Sequence, residues 1–239
     1  MTNPSAAILL IGDEILSGRT QDSNGNFLAR ALYAHGIDLR EIRVVGDVEA
    51  TIVTTLNALR TAYDHVFTSG GIGPTHDDIT ADAVAAAFDV ALIERDDAVA
   101  ALARNYKNGV ADLTPARRRM ARVPEGSSLI HNPVSGAPGF TMGNVHVMAG
   151  VPAVFQAMVD GLLPGLAGGV PLLSESMRIH LPESQIATPL AAIASAFPDL
   201  SFGSYPFIRD GKFGADIVVR GVDKAQISAA LERLREIIS

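Results

Sequence analysis

The chain reads as an α/β fold: a mostly parallel sheet covered by helices on both faces, followed by a small α+β module. Three observations predict it. Ala6 to Ile11 is a short, unbroken apolar run, the pattern of a strand buried on both faces rather than one. Strand-like and helix-like segments then alternate three times, which calls for parallel strands joined by right-handed crossovers. Residues 164–171 hold three Gly and two Pro, a break after which the rhythm changes.

The elements follow in order. The first strand runs straight into Gly12-Asp13-Glu14, and a polar loop reaches Asn26. Phe27, Leu28, Ala31 and Leu32 recur at helical spacing, with Gly36 suited to end the helix. Ile37 to Val45 is the second strand, closed by Gly46-Asp47. Ile52, Leu56, Leu59 and Tyr63 make one face of a helix over 49–63. His65 to Ser69 is the third strand. It enters Gly70-Gly71-Ile72-Gly73-Pro74, which cannot be helical, and a helix from about Thr80 to Phe88 follows. Asp96 to Tyr106 reads as a helix, and Thr114-Pro115 as the cap and first residue of another over 115–122. Gly143-Asn144 is a two-residue turn between Phe140–Met142 and Val145–Ala149. Gly150-Val151-Pro152 opens a helix to about Leu163. The boundary is placed between a domain over 1–168 and a module over 169–239. The module reads as strand (Met177 to Leu181), helix (Ile186 to Phe197), an irregular or extended stretch near Ser201 to Ile208, strand (Ala215 to Arg220) and helix (Lys224 to Ile238).

Composition narrows the function classes. The 239 residues include no cysteine, which excludes disulfides, thiolate catalysis and cysteine-held zinc. A net charge of -7 argues against nucleic acid as a partner, since that surface needs a basic face. No run approaches the ~18 apolar residues of a membrane span. The first apolar run is too short for a signal-peptide core and has no Lys or Arg before it, so a cytoplasmic location and no membrane partner are expected.

Ligands of open parallel sheets bind beyond the carboxyl ends of the strands. Three strand ends here carry glycine and carboxylate together: Gly12, Asp13 and Glu14; Gly46 and Asp47; Gly70, Gly71, Gly73, Asp77 and Asp78. Parallel strands bring the three loops to one edge. Glycine lets backbone N–H groups approach a phosphate, and the helix starting near Thr80 adds its positive end. Carboxylates repel phosphate unless a divalent cation bridges them, so the pattern implies Mg2+ or a similar ion. Each feature has an ordinary reading too: Gly-Gly-x-Gly as a turn, Asp78 or Thr80 as a helix cap, Asp13-Glu14 as a solvated loop. Their joint occurrence at three successive strand ends is what argues for a site. A side chain at Gly71 is expected to block the ligand while sparing the fold. Asp77 is expected to point away from the site that Asp78 serves. His76 suits a surface loop. The cluster Arg117, Arg118, Arg119 and Arg122 suits either a solvated face or the steering of an anion. Asn132 to Phe140, rich in turn formers, suits either a pocket wall or a connector.

The segments Gly12-Asp13-Glu14-Ile15-Leu16-Ser17-Gly18-Arg19-Thr20-Gln21-Asp22 and Thr68-Ser69-Gly70-Gly71-Ile72-Gly73-Pro74-Thr75-His76-Asp77-Asp78-Ile79-Thr80 resemble the competence/damage-inducible protein A (CinA) family. The N-terminal part of that family belongs to the molybdopterin-binding (molybdenum cofactor biosynthesis) domain superfamily. Ala137-Pro138-Gly139-Phe140, Gly150-Val151-Pro152, Glu183-Ser184-Gln185-Ile186-Ala187 and Gly203-Ser204-Tyr205-Pro206 also match, so the likeness covers essentially the whole chain. It does not extend to the amidohydrolase domain of full-length CinA. The resemblance implies a three-layer αβα domain that takes molybdopterin or a nucleotide, with Gly12, Asp13, Glu14, Ser17, Gly70, Gly71, Gly73, Pro74, Thr75, Gly150 and Pro152 around it. It implies Asp47 and Asp78 as catalytic, metal-binding acids. The superfamily's adenylyltransferases carry Thr where this chain has Ile72, and Arg where it has Asp77. CinA-like proteins are associated with metal-dependent cleavage of pyrophosphates such as ADP-ribose or FAD. Three functions therefore stand: a divalent-metal-dependent nucleotide pyrophosphatase, a molybdopterin adenylyltransferase, and a non-catalytic molybdopterin-binding module. A homodimer is expected from the family and from the small size of the module.

Overall fold

The computed structural model describes residues 3–209 and 211–238. It divides into two compact units, Met1–Gly169 and Val170–Ser239.

In the first unit, β1 (Ser5–Ile11), β2 (Asp38–Val45), β3 (His65–Ser69) and β8 (Val145–Met148) run parallel, in the order β2-β1-β3-β8. Antiparallel β7 (Gly139–Met142) and β6 (Ser128–Ile130) extend this sheet to six strands. Met142 pairs with Val145, so Gly143-Asn144 forms the anticipated two-residue turn. Helices α2 (Asn24–His35) and α7 (Pro152–Leu162) cover one face, and α3 (Glu49–Ala62) and α4 (Thr80–Phe88) cover the other. This explains the unbroken apolar run of β1. Ala7, Leu9 and Ile11 pack toward α3 and α4, while Ala6, Ile8 and Leu10 pack toward α2 and α7. The alternating, partly charged β2 is an edge strand, and its Arg43 and Glu41 pair on the sheet.

Shorter elements complete the unit. The one-turn helix α1 (Asp13–Leu16) follows β1. A two-stranded ribbon of β4 (Leu92–Glu94) and β5 (Arg122–Pro124) packs on α4, and α5 (Asp96–Ala103) and α6 (Pro115–Arg119) fall between its strands in the chain. The sequence indicates longer helices here, to Tyr106 and through residue 122. Instead α5 ends at Ala103 and α6 at Arg119, and Arg122 enters β5.

The second unit holds β9 (Leu173–Ile179), α8 (Glu183–Ala196), β10 (Ser201–Arg209), β11 (Lys212–Gly221) and α9 (Lys224–Ile238). Its antiparallel sheet has the order β10-β11-β9. The stretch near Ser201, irregular or extended from sequence, is a nine-residue strand. Ile179, Ile217, Val219, Ile227 and Leu234 belong to a buried core of its own. The unit is therefore not too small to bury a core, and the expectation of a dimer loses that support. Among the described residues no helix is long and apolar enough to cross a membrane.

One buried polar cluster carries a stability prediction. His146 on β8 is only 3% exposed. One ring nitrogen lies 3.0 Å from Thr141 Oγ1, the other 3.1 Å from His65 Nδ1. Burial first, and the neighbouring His65 second, push the His146 pKa down from 6.5 to about 4. The folded state thus holds this imidazole neutral. Its contribution to stability is whole above pH 6.5 and drains away as pH falls toward 4, because the unfolded chain takes up the proton first. Between pH 7 and pH 5 the loss is roughly 2 kcal/mol, or about 4–8 °C in melting temperature. In His146→Gln, melts at those two pH values should differ much less. An equal difference in both proteins would place the acid sensitivity elsewhere.

Candidate functional site

The carboxyl ends of β1, β3 and β8 open into a pocket of about 530 Å³. Its walls come from every loop that leaves this edge: Gly12 and Glu14 after β1, Asp47 after β2, Gly70 to Pro74 after β3, and Gly150 and Val151 after β8. Sequence reasoning therefore brought Gly12, Glu14, Asp47, Gly70, Gly71, Gly73, Pro74, Asp78 and Gly150 to one place. Four other candidates stand outside the lining. Asp13 donates its backbone N–H to Asp47 Oδ2 at 3.0 Å. Thr75 lines the cleft next to the pocket. Ser17 is exposed and donates to the Glu14 carbonyl, and Pro152 is exposed at the first turn of α7.

Two buried side chains fix the floor. Thr80, fully buried at the start of α4, donates its hydroxyl to the Gly70 carbonyl at 2.9 Å and its N–H to the Gly71 carbonyl at 2.9 Å. That N–H is consequently spent on the loop and does not face a ligand. Asn24, 4% exposed in the first turn of α2, donates from Nδ2 to Ser69 Oγ and to the Gly150 carbonyl, both at 2.8 Å. It ties the ends of β3 and β8 together beneath the pocket. Asn24 follows Asp22-Ser23 in sequence and reads there as an ordinary helix-start residue, so only the fold reveals this contact.

The acids occupy the rim. Neither Asp78 nor Thr80 caps α4; Ile79 stands at the cap without a side-chain bond. The Asp78 carboxylate turns back onto its own loop instead, where Oδ2 accepts from Thr75 N at 2.8 Å and Thr75 Oγ1 at 2.6 Å. Asp47 is likewise held through Oδ2, leaving each acid one oxygen without a hydrogen bond among the described residues. Burial first, and then the charges of Asp13, Glu14 and Asp77, hold the Asp47 carboxyl above its ordinary range, against the pull of the Asp13 N–H. Asp77 does not turn away; it lines the pocket beside Asp78, with a side chain 60% exposed. Among the described residues no three His, Asp or Glu groups are arranged to hold a metal by themselves. Carboxylate oxygens are the donor type that an ion such as Mg2+ takes, one or two at a time, with water and phosphate oxygen in its other positions.

Asn132, Ser135 and Ala137 line the same pocket, so the turn-rich segment is a wall and not only a connector. Met120 and Val154 add apolar surface that the sequence did not indicate. The arginine cluster is tied down. Arg117 stacks 4.4 Å over the Tyr106 ring, Arg118 forks onto Glu94, and Arg122 onto Asp82 at 3.0 and 3.4 Å. Arg119 reaches the Asp78 carbonyl at 3.0 Å. His76 is almost wholly exposed, 3.8 Å from Asp77.

Comparison with known proteins agrees with this architecture. Residues 7–168 match the family model described as a probable molybdopterin binding domain, and residues 171–239 match the FAD synthase middle domain. A probable FAD synthase of Caenorhabditis elegans is 31% identical over 98% of this chain and 50% of its own length. A CinA-like protein of Desulfosudis oleivorans is 34% identical over 83% of this chain and 51% of its own. The chain thus spans about half the length of these relatives. A protein of Archaeoglobus fulgidus is 31% identical over 97% of both chains. The crystal structure of CinA, of unknown function, from Thermoplasma acidophilum superposes with a TM-score of 0.64 and 34% identity, covering 69% of this chain and 99% of that one. The chain belongs to the molybdopterin-binding domain family as a CinA-like member, with a segment matching the FAD synthase middle domain behind it.

Proposed function

We propose that the pocket binds a pyrophosphate-linked nucleotide of the ADP-ribose or FAD type and hydrolyses its phosphoanhydride with the help of a divalent metal ion. One observation carries the reading: a bare glycine turn and four carboxylates, Glu14, Asp47, Asp77 and Asp78, meet in the same pocket. Backbone N–H groups from Gly71 to Gly73 suit a phosphate, and the acids oppose one unless a cation lies between. The likeness to FAD synthases, which runs through both segments, supports a flavin- or ADP-containing ligand.

Asp47 and Asp78 are the residues that would hold the metal. When bound, the ion withdraws charge from the phosphate oxygens. Water attacks one phosphorus, the bridging P–O bond breaks, and two phosphomonoesters leave. Glu14 and Asp77, which line the pocket, are the carboxylates left to take the water's proton. Ile11, Met120 and Val154 give the pocket an apolar wall on which the non-phosphate part of the ligand would pack. Incubation with ADP-ribose or FAD and Mg2+ should release AMP with ribose 5-phosphate, or AMP with FMN, and chelation should stop it. The family description favours a pterin as the ligand, which makes adenylyl transfer the second reading. Transfer of AMP from ATP to molybdopterin, without turnover of either dinucleotide, would replace the first reading by the second.

A further inference from the structure

We propose that Arg119 is the phosphate-binding cation of this site, and that the cleft beyond it receives the second half of a two-part nucleotide. The inference rests on the nucleotide reading above and extends it to a subsite.

The glycine loop itself offers a phosphate no cation. Between Pro74 and Asp78 it offers Thr75, an almost fully exposed His76, and Asp77. A cation arrives through space. Arg119, the last residue of α6, donates to the backbone carbonyl of Asp78 at 3.0 Å, which pins its guanidinium against the second acid. Among the described residues its ion pair is with Asp82 at 3.7 Å, and that carboxylate is already taken by two nitrogens of Arg122. Two guanidinium groups thus share one carboxylate, and the Nε of each is buried without a hydrogen-bond partner. The pair therefore keeps a net positive charge that one carboxylate does not offset.

The cavities point the same way. A narrow gap lined by Gly71, Gly73, Asp78, Arg119 and Met120 adjoins the main pocket, with which it shares all of these residues but Arg119. On the far side of Pro74 lies an open cleft of about 580 Å³, edged by Arg118, Arg119 and Arg122 and by Glu94, which Arg118 pairs. It is similar in size to the main pocket of about 530 Å³. Arg119 lines the cleft and the gap, a void of about 10 Å³, and so lies between the cleft and the main pocket, whose own lining it does not join. Two chambers with a guanidinium between them match a ligand of two halves joined by a pyrophosphate. The planar fork of arginine suits phosphate oxygens in that position.

Calorimetric titration of ADP-ribose, AMP and adenosine into wild type, Arg119→Met and Arg119→Lys tests this. Arg119→Met should weaken ADP-ribose about tenfold to a hundredfold, as loss of a charged hydrogen bond does, and leave adenosine unchanged. Arg119→Lys should recover part of the loss. Inorganic pyrophosphate should displace ADP-ribose from the wild-type protein, a measurement that needs no variant to fold. Equal weakening of adenosine and ADP-ribose would reduce Arg119 to a structural role and overturn the proposal. So would unchanged ADP-ribose affinity in Arg119→Met, or failure of pyrophosphate to compete. Wild-type protein that binds none of the three nucleotides would sink the nucleotide reading itself.

Discussion

Replacing Gly71 by valine should cost roughly 3 kcal/mol of stability, or about 6–12 °C in melting temperature, and end ligand binding. Two effects add. Gly71 has φ +68°, the left-handed region that a β-branched residue strongly resists. A Cβ built there would also stand 2.1 Å from Thr80 Oγ1 and 3.1 Å from Thr80 Cβ. Thr80 cannot step aside, since it is fully buried and its hydroxyl and N–H hold the two glycine carbonyls of this turn. The sequence suggests a milder result, loss of binding with the fold spared. It shows the side of the turn that the proposed ligand would meet and hides the residue behind it. Gly71→Ala, without the branched carbon, should lose less stability by the same route. Melts and nucleotide titrations of both variants decide the matter. A folded Gly71→Val protein with wild-type melting would show that the turn is looser than its hydrogen bonds imply.

What could be read from sequence was what local patterning determines. The apolar run of β1, the helical spacing of α2 and α3, and glycine at three strand ends each follow from a short stretch of chain. Together they fix where the pocket lies. Contacts between distant segments could not be read this way. Asn24 bonds Ser69 and Gly150, 45 and 126 residues away. Arg119 meets Asp78 across 41 residues. Neither leaves a local signal, because an asparagine near a helix start and an arginine in a basic run have ordinary explanations. The three-residue strands β4, β5 and β6 are too short to show a period. The sequence points Asp77 away from the site because adjacent side chains diverge. That holds in a regular helix or strand, but this loop is neither, and both acids reach the same cavity.

The two acids still differ, and the difference is measurable. Asp78→Asn should lower metal-dependent turnover of ADP-ribose by about 100- to 1000-fold, the usual effect of removing one group that meets developing charge. Asp77→Asn should lower it by less than about tenfold, since exposed charge is screened by solvent. The contrast follows from how each carboxylate is held. Asp78 is partly buried, and one oxygen is fixed by the N–H and hydroxyl of Thr75, so the other oxygen has a set direction. The Asp77 side chain is 60% exposed, so solvent screens its charge. Asparagine keeps an oxygen that accepts from the Thr75 N–H, so Asp78→Asn should melt within about 2–4 °C of wild type, the worth of one weakened hydrogen bond. Its loss of activity would then report charge and not folding. Thr75→Val separates the remaining possibility. It removes the hydroxyl that orients Asp78 and keeps the carboxylate, so turnover should fall but still respond to added Mg2+, whereas Asp78→Asn should respond little at any concentration. If Asp77→Asn is the more damaging of the two with both proteins folded, the metal-facing acid is Asp77 and Asp78 serves only to close the loop.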